Sequence, residues 1–264
     1  MDDKFYITDS LYIYNGKTYF EAKNKNIKLN NNNWHKYLGE YGWDKLPYGW
    51  KRRLKCGDNK KFCYGLLECG ADGDCLFHVI AEAINNDINN NSDLNNCCEY
   101  YDVKSIRVMA AEQINNDNFY SILENYKIEK ETMEFNGDWN PNNIKKVRNL
   151  QNEIQKEGNN FWGDHIILQL LQRKLKFNTI ILNSEKLDIN MDPLPSLPLE
   201  ERFTIHPTGT DLDTYDNTII LYYIDGLHFQ LVGYFDGNVI QTVFKKNEIP
   251  EKMLEIYYKD TRKG

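Results

Sequence analysis

Two hydrophobic periods divide this chain, and that division constrains its fold more than any single residue does. From residue 72 to residue 176 the apolar side chains recur at helical spacing. Leu76, Val79, Ile80 and Ala83 do so over Asp72–Asn86, and Ile106, Met109 and Ala110 over Val103–Ile114. Phe119–Lys127, Ile144–Glu157 and His165–Lys176 read as further helices. Beyond residue 176 the apolar runs shorten to strand length. Thr179–Asn183, Phe203–Ile205 and Thr218–Ile224 read as strands, and Phe229–Phe235 and Val239–Phe244 as a hairpin about Asp236-Gly237-Asn238. Ile249–Lys259 closes as a helix with Pro250 in its first turn. The Asn-rich stretch Ile88–Asn96 and the segment with Pro193, Pro195 and Pro198 read as loops. Helices early and strands late predict an α+β domain with helices packed around a small mixed β-sheet.

Residues 1–60 read as an amino-terminal extension and residues 61–264 as the main domain. The extension opens with Leu11–Tyr14, Asn15-Gly16 and Thr18–Phe20, a hairpin signal because Asn-Gly accepts the left-handed turn. An aromatic segment follows, with Trp34, Tyr37, Tyr41, Trp43, Tyr48 and Trp50. Leu46–Trp50 looks like the opening of a WW domain whose second half is missing. Packing against the main domain and binding of a partner both account for these aromatics.

Composition removes several classes of function. The 264 residues are 41% hydrophobic, enough for a substantial core, and carry a net charge of −7. That balance argues against a nucleic-acid-binding surface, which needs a basic stripe; Lys51-Arg52-Arg53 and Lys145-Lys146 are too short to supply one. No apolar run reaches membrane-spanning length, and Met1-Asp2-Asp3-Lys4 does not open a signal peptide. The six cysteines, at 56, 63, 69, 75, 97 and 98, contain no C-x-x-C pair and fit no common zinc module. Reduced thiols in the cytoplasm are the expectation. Abundant Asn, Ile, Lys and Tyr suit an A/T-rich genome, such as that of a giant virus, a protist or an intracellular bacterium.

Chemistry concentrates in Asp72-Gly73-Asp74-Cys75-Leu76-Phe77-His78. A polar, glycine-containing turn delivers Cys75 onto the first turn of a helix. There the helix dipole and unpaired backbone N–H groups favour thiolate over thiol. A buried structural cysteine would not need such a lead-in. A base is required, and His228 stands in Asp225-Gly226-Leu227-His228-Phe229-Gln230, at the start of a strand. His78 projects from the helix, His165 reads as a helix start, His206 as a strand end, and His35 lies in the extension.

These two segments, with Phe161-Trp162-Gly163-Asp164-His165 between them, resemble the ovarian-tumour (OTU) family of papain-like cysteine proteases in type and order. The resemblance runs from about Leu66 to Phe244. It implies a papain-like OTU fold and a deubiquitinase that cleaves the isopeptide bond after the C-terminal Gly-Gly of ubiquitin. It further implies Cys75 as nucleophile, His228 as base, and an oxyanion loop of Asp72, Gly73 and Cys75. Many members carry Asn or Asp two residues after the histidine to orient it. Gln230 stands at that position here, and Asp72 is the other candidate for support. Asp74 replaces the commoner Asn, and is expected to face solvent or to cap the helix. Gly226 would help form the narrow channel for the Gly-Gly tail, while Trp162 either scaffolds the site or touches substrate. Ubiquitin or polyubiquitin is the implied partner, with no cofactor or metal. Gln230 and Asp74 leave open a catalytically weak ubiquitin-binding scaffold. A protease for a ubiquitin-like modifier or a polyprotein is the other alternative.

Overall fold

The structure, a computed structural model, describes residues 4–22, 25–55, 63–70, 73–91, 100–186, 194, 196–206, 211–224 and 228–262. It begins with β1 (Phe5–Tyr6), β2 (Leu11–Tyr14), β3 (Lys17–Ala22) and β4 (Lys25–Lys28), an antiparallel sheet in chain order. The expected hairpin is β2–β3, registered from Leu11 opposite Phe20 to Tyr14 opposite Lys17. Asn15 and Gly16 both take positive φ, 49° and 65°, as a two-residue turn of this hand requires.

Next come α1 (Trp34–Tyr37), β5 (Trp43–Lys45), α2 (Tyr48–Leu54) and β6 (Tyr64–Leu67). Tyr48 starts a helix, so Leu46–Trp50 does not form the opening of a WW domain. Trp34 and Trp50 are fully buried and Trp43 nearly so, which makes these three aromatics core residues. The helical series is α3 (Cys75–Asn91), α4 (Val103–Glu112), α5 (Phe119–Glu131), α6 (Val147–Ile154) and α7 (His165–Leu175). Then follow β7 (Phe177–Asn183), α8 (Leu199–Arg202), β8 (Ile205–His206), β9 (Asn217–Ile224), β10 (His228–Phe235), β11 (Ile240–Gln241), β12 (Val243–Lys245) and α9 (Glu251–Thr261). The architecture is α+β, as expected. Among the described residues no helix is long and apolar enough to cross a membrane.

The larger sheet has eight strands, ordered β5-β6-β10-β9-β7-β8, with β11 on β10 and β12 on β9. Among the described residues only the β7–β9 pairing is parallel, so the sheet is mixed. Its central strands bury both faces, and their side chains sort by the two-residue period. Ile181, Ile219, Leu221 and Leu231 join the cluster of α3, α4 and α7. Ile180, Leu182, Ile220 and Val232 join the cluster of α2 and α9 on the opposite face. In α3, Leu76, Phe77, Val79, Ile80 and Ala83 are all 0% exposed, and each large side chain so buried contributes about 1.5–3 kcal/mol. Helix α3 is therefore pinned to the sheet along its length.

Several boundaries differ from expectation for identifiable reasons. α3 runs on to Asn91, through residues expected to form a loop. Asn86 and Asn90 donate to the Ile240 carbonyl at 2.7 and 2.6 Å, and Asn85 exchanges two 2.8 Å bonds with the Tyr101 backbone. Tertiary bonds thus offset the poor helix propensity of asparagine. The expected strand Val239–Phe244 breaks into β11 and β12 at Thr242, whose buried hydroxyl donates to the Ala83 carbonyl at 2.9 Å. Phe203 caps α8, so the short strand there is Ile205–His206. Pro193 and Pro195 lie outside the described residues.

Candidate active site

The turn into α3 is built around one buried arginine. Gly73 has φ of +84°, and a side chain there would come within 2.6 Å of the Gly158 carbonyl. The Gly163 N–H donates to the Gly73 carbonyl at 3.3 Å, joining the Trp162-Gly163 segment to the turn. Asp74 accepts the first helical bond of α3, from the His78 N–H at 2.9 Å. Of the two expected placements, solvent or helix cap, its backbone holds the cap position, while its side chain turns inward rather than to solvent. One oxygen receives the Gly158 N–H at 2.8 Å, and the other receives the Arg107 guanidinium, with Nε at 2.8 Å. Arg107 is 0% exposed, and it also donates to the Ile154 and Phe161 carbonyls at 2.8 and 2.9 Å. Its guanidinium carbon lies 3.9 Å from the centre of the Phe77 ring. Removing one partner of such a pair strands a charge. Arg107→Ala is expected to lose about 3–5 kcal/mol of stability, read as a fall in the urea midpoint. An unchanged midpoint would contradict this role.

Cys75 is the first residue of α3 and only 3% exposed. Backbone N–H groups of Phe229, Leu76 and Cys75 pull its pKa down, but burial outweighs them and Asp74 opposes them, so the thiol is held above its ordinary value. Burial thus opposes the thiolate that the helix start favours. Helix position alone does not ionise a sulfur that the fold has taken out of water. Asp72 lies outside the described residues.

His228 is the first residue of β10 and half-buried, opposite Ile224. Its Nε2 meets Glu68 Oε1, while the Gln230 side-chain amide donates to Glu68 Oε2. Gln230, one of the two candidates to orient the imidazole, turns its side-chain amide to Glu68 instead, and the imidazole meets Glu68 through Nε2. The sheet explains both contacts. Leu67 in β6 pairs with Leu231 in β10, so the next residue, Glu68, falls opposite Gln230 and diagonal to His228. Glu68 was missed in the sequence because only the β6–β10 pairing brings it there. An acidic residue between a buried strand and the cysteine turn was the one available signal.

Cys75 and His228 line one cleft of about 450 Å³, together with Trp162, Gly163, His165, His206 and Tyr223. Trp162 thus borders both the Gly73 turn and the cleft, which serves a scaffold and a contact role alike. A side chain at Gly163 would meet Leu76 at 2.7 Å, which explains the glycine. His78 faces away, against Gly70. Gly226 lies outside the described residues. The far wall carries Glu129, Glu134 and Asp164. Burial, then the charges of Asp164 and Glu134, raise Glu129 to about 7. The folded protein therefore holds a proton there between the usual carboxylate range and pH 7 that the unfolded chain has released. Stability from this group is present at low pH and lost as pH rises through that window. Glu129→Gln is expected to flatten this part of the melting curve's pH dependence and to stabilise the protein relative to wild type at pH 8. Parallel wild-type and variant melting profiles would contradict it.

No family model matches the chain, and no curated protein matches it. It is similar to three solved structures, among others. With the OTU domain of OTUD1 it shares 13% identity over 71% of this chain and 93% of that one, at a TM-score of 0.39. With an OTU domain solved in complex with ubiquitin it shares 16% identity over 76% and 83%, at 0.41. An OTU deubiquitinase from Wolbachia pipientis wMel is similar at 15% identity over 76% and 98%, with a TM-score of 0.37.

Proposed function

We propose that this chain is a cysteine deubiquitinase of OTU type, with Cys75 as nucleophile and His228 as base. The observation that carries the reading is the meeting of two segments 153 residues apart in one cleft. The sulfur of Cys75 interacts with the N–H of Phe229, the residue that follows His228. The motif resemblance supplies the substrate: an isopeptide after the C-terminal Gly-Gly of ubiquitin. His228 takes the thiol proton as sulfur attacks the carbonyl carbon. The C–N bond breaks, the amine leaves with the proton from His228, and water hydrolyses the thioester. The backbone N–H groups of Gly73 and Cys75 are the proposed oxyanion donors, and the positive φ of Gly73 shapes that turn. Asp72 and Gly226 retain their proposed places in the oxyanion loop and the tail channel. A reduced, cytoplasmic setting suits a thiol enzyme.

The scaffold reading has in its favour that Gln230 turns to Glu68 instead of the imidazole and that Cys75 is buried. A panel of linked diubiquitins separates the two. Cleavage of at least some linkages supports the enzyme, and ubiquitin binding without cleavage supports the scaffold. Neither binding nor cleavage would direct attention to a ubiquitin-like modifier or a polyprotein.

A further inference from the structure

We propose that Glu68 is the residue that positions His228, and that Gln230 acts only through Glu68. The inference rests on the Cys75–His228 reading and extends it to the residue that fixes the imidazole. Nε2 of His228 meets one Glu68 oxygen, and the Gln230 amide donates to the other. An ionised carboxylate only accepts, so Nε2 must carry the hydrogen and Nδ1 is left with the lone pair. Nδ1 is then the atom that takes the proton from Cys75. After transfer both ring nitrogens carry hydrogen, and the Glu68 carboxylate faces the new imidazolium charge while keeping no proton itself. A neutral amide in the Gln230 position would orient the ring without stabilising that charge. Gln230 instead satisfies the second oxygen and holds the carboxylate in place.

The amino-terminal segment completes the arrangement. β5 pairs with β6 with Trp43 opposite Leu67, and the Glu68 N–H donates to the Gly42 carbonyl at 3.3 Å. Gly42 takes φ of +85° and a side chain there would press on Leu67 at 3.2 Å, so the backbone can reach Glu68 only as glycine without strain. Glu68 is thus gripped by Gly42 on one side and by Gln230 on the other. Residues within the first 60 position the acid rather than decorating the domain.

The test is kinetic and uses the full chain. Glu68→Ala is expected to lower kcat on the order of 100-fold with KM and melting temperature little changed. Gln230→Ala should cost roughly 5-fold, the scale of one neutral hydrogen bond. The double variant should be no slower than Glu68→Ala alone, because Gln230 has no route to His228 except through Glu68. Glu68→Asp should recover part of the rate. A double variant slowed by the product of the single effects, or Glu68→Ala at wild-type rate, would overturn the assignment. The same variants are to be compared by the rate at which iodoacetamide alkylates Cys75, followed by peptide mass. That rate should fall in Glu68→Ala as in His228→Ala. Should wild type leave ubiquitin conjugates intact, the substrate reading fails while alkylation still decides the role of Glu68.

Discussion

Cys75→Ala is expected to lower ubiquitin cleavage by at least ~10⁴-fold, leaving only what binding and oxyanion donors provide. The fold should survive. Removing one buried sulfur from the end of a helix costs about 1 kcal/mol, far less than the burial of α3 against the sheet contributes. Among the described residues the other thiols, Cys63 and Cys69, are buried outside the cleft of Cys75. Cys69 is also buried, and burial together with Glu82 pushes its pKa well up. Because Cys75 is itself raised, cleavage by wild type should climb as pH rises from neutral into the range where a buried thiol ionises. Cleavage assays from pH 6 to 9, with peptide mapping of any adduct, check both points. Substantial activity in the alanine variant, with an adduct on another cysteine, would remove Cys75 from the mechanism.

His228→Ala should cost about 10³- to 10⁴-fold in kcat, the scale of a lost general base that also serves as acid for the leaving amine. The two other histidines of the cleft, His165 and His206, sit at the start of α7 and the end of β8. The Cys75 sulfur interacts with the N–H of Phe229, the residue after His228, which favours His228 as its base. Double variants that also replace His206 should be no slower than His228→Ala. A His228 variant within about ten-fold of wild type, well short of the general-base scale, would mean another group takes the thiol proton. The two substitutions are not independent. A thiol without its base and a base without its thiol lose much the same chemistry, so the Cys75–His228 double variant should resemble Cys75→Ala.

The parts of this site that were legible in the sequence are those written in local pattern. The turn before α3 announces itself through Gly73 and the following helical period, and the start of β10 through its alternation after His228. β7 and β9 were legible as apolar runs because both of their faces are buried. What stayed hidden depends on contacts between distant segments. Asp74 reads from the sequence as a solvent-facing or capping charge, and only the fold brings Arg107, 33 residues on, against it. Gln230 sat where an orienting residue belongs, but strand pairing across 162 residues turned it to Glu68. The far end of α3 was hidden for the same reason, since its asparagines are helical only by virtue of Ile240 and Tyr101. The burial that opposes a Cys75 thiolate is likewise recorded by no pattern around the residue.

The most direct test of the central claim is intact-mass analysis of the full chain after incubation with ubiquitin bearing a C-terminal electrophile. The account predicts one covalent adduct of one ubiquitin, located on Cys75 and absent from Cys75→Ala. Tight ubiquitin binding with no adduct on Cys75 would contradict it.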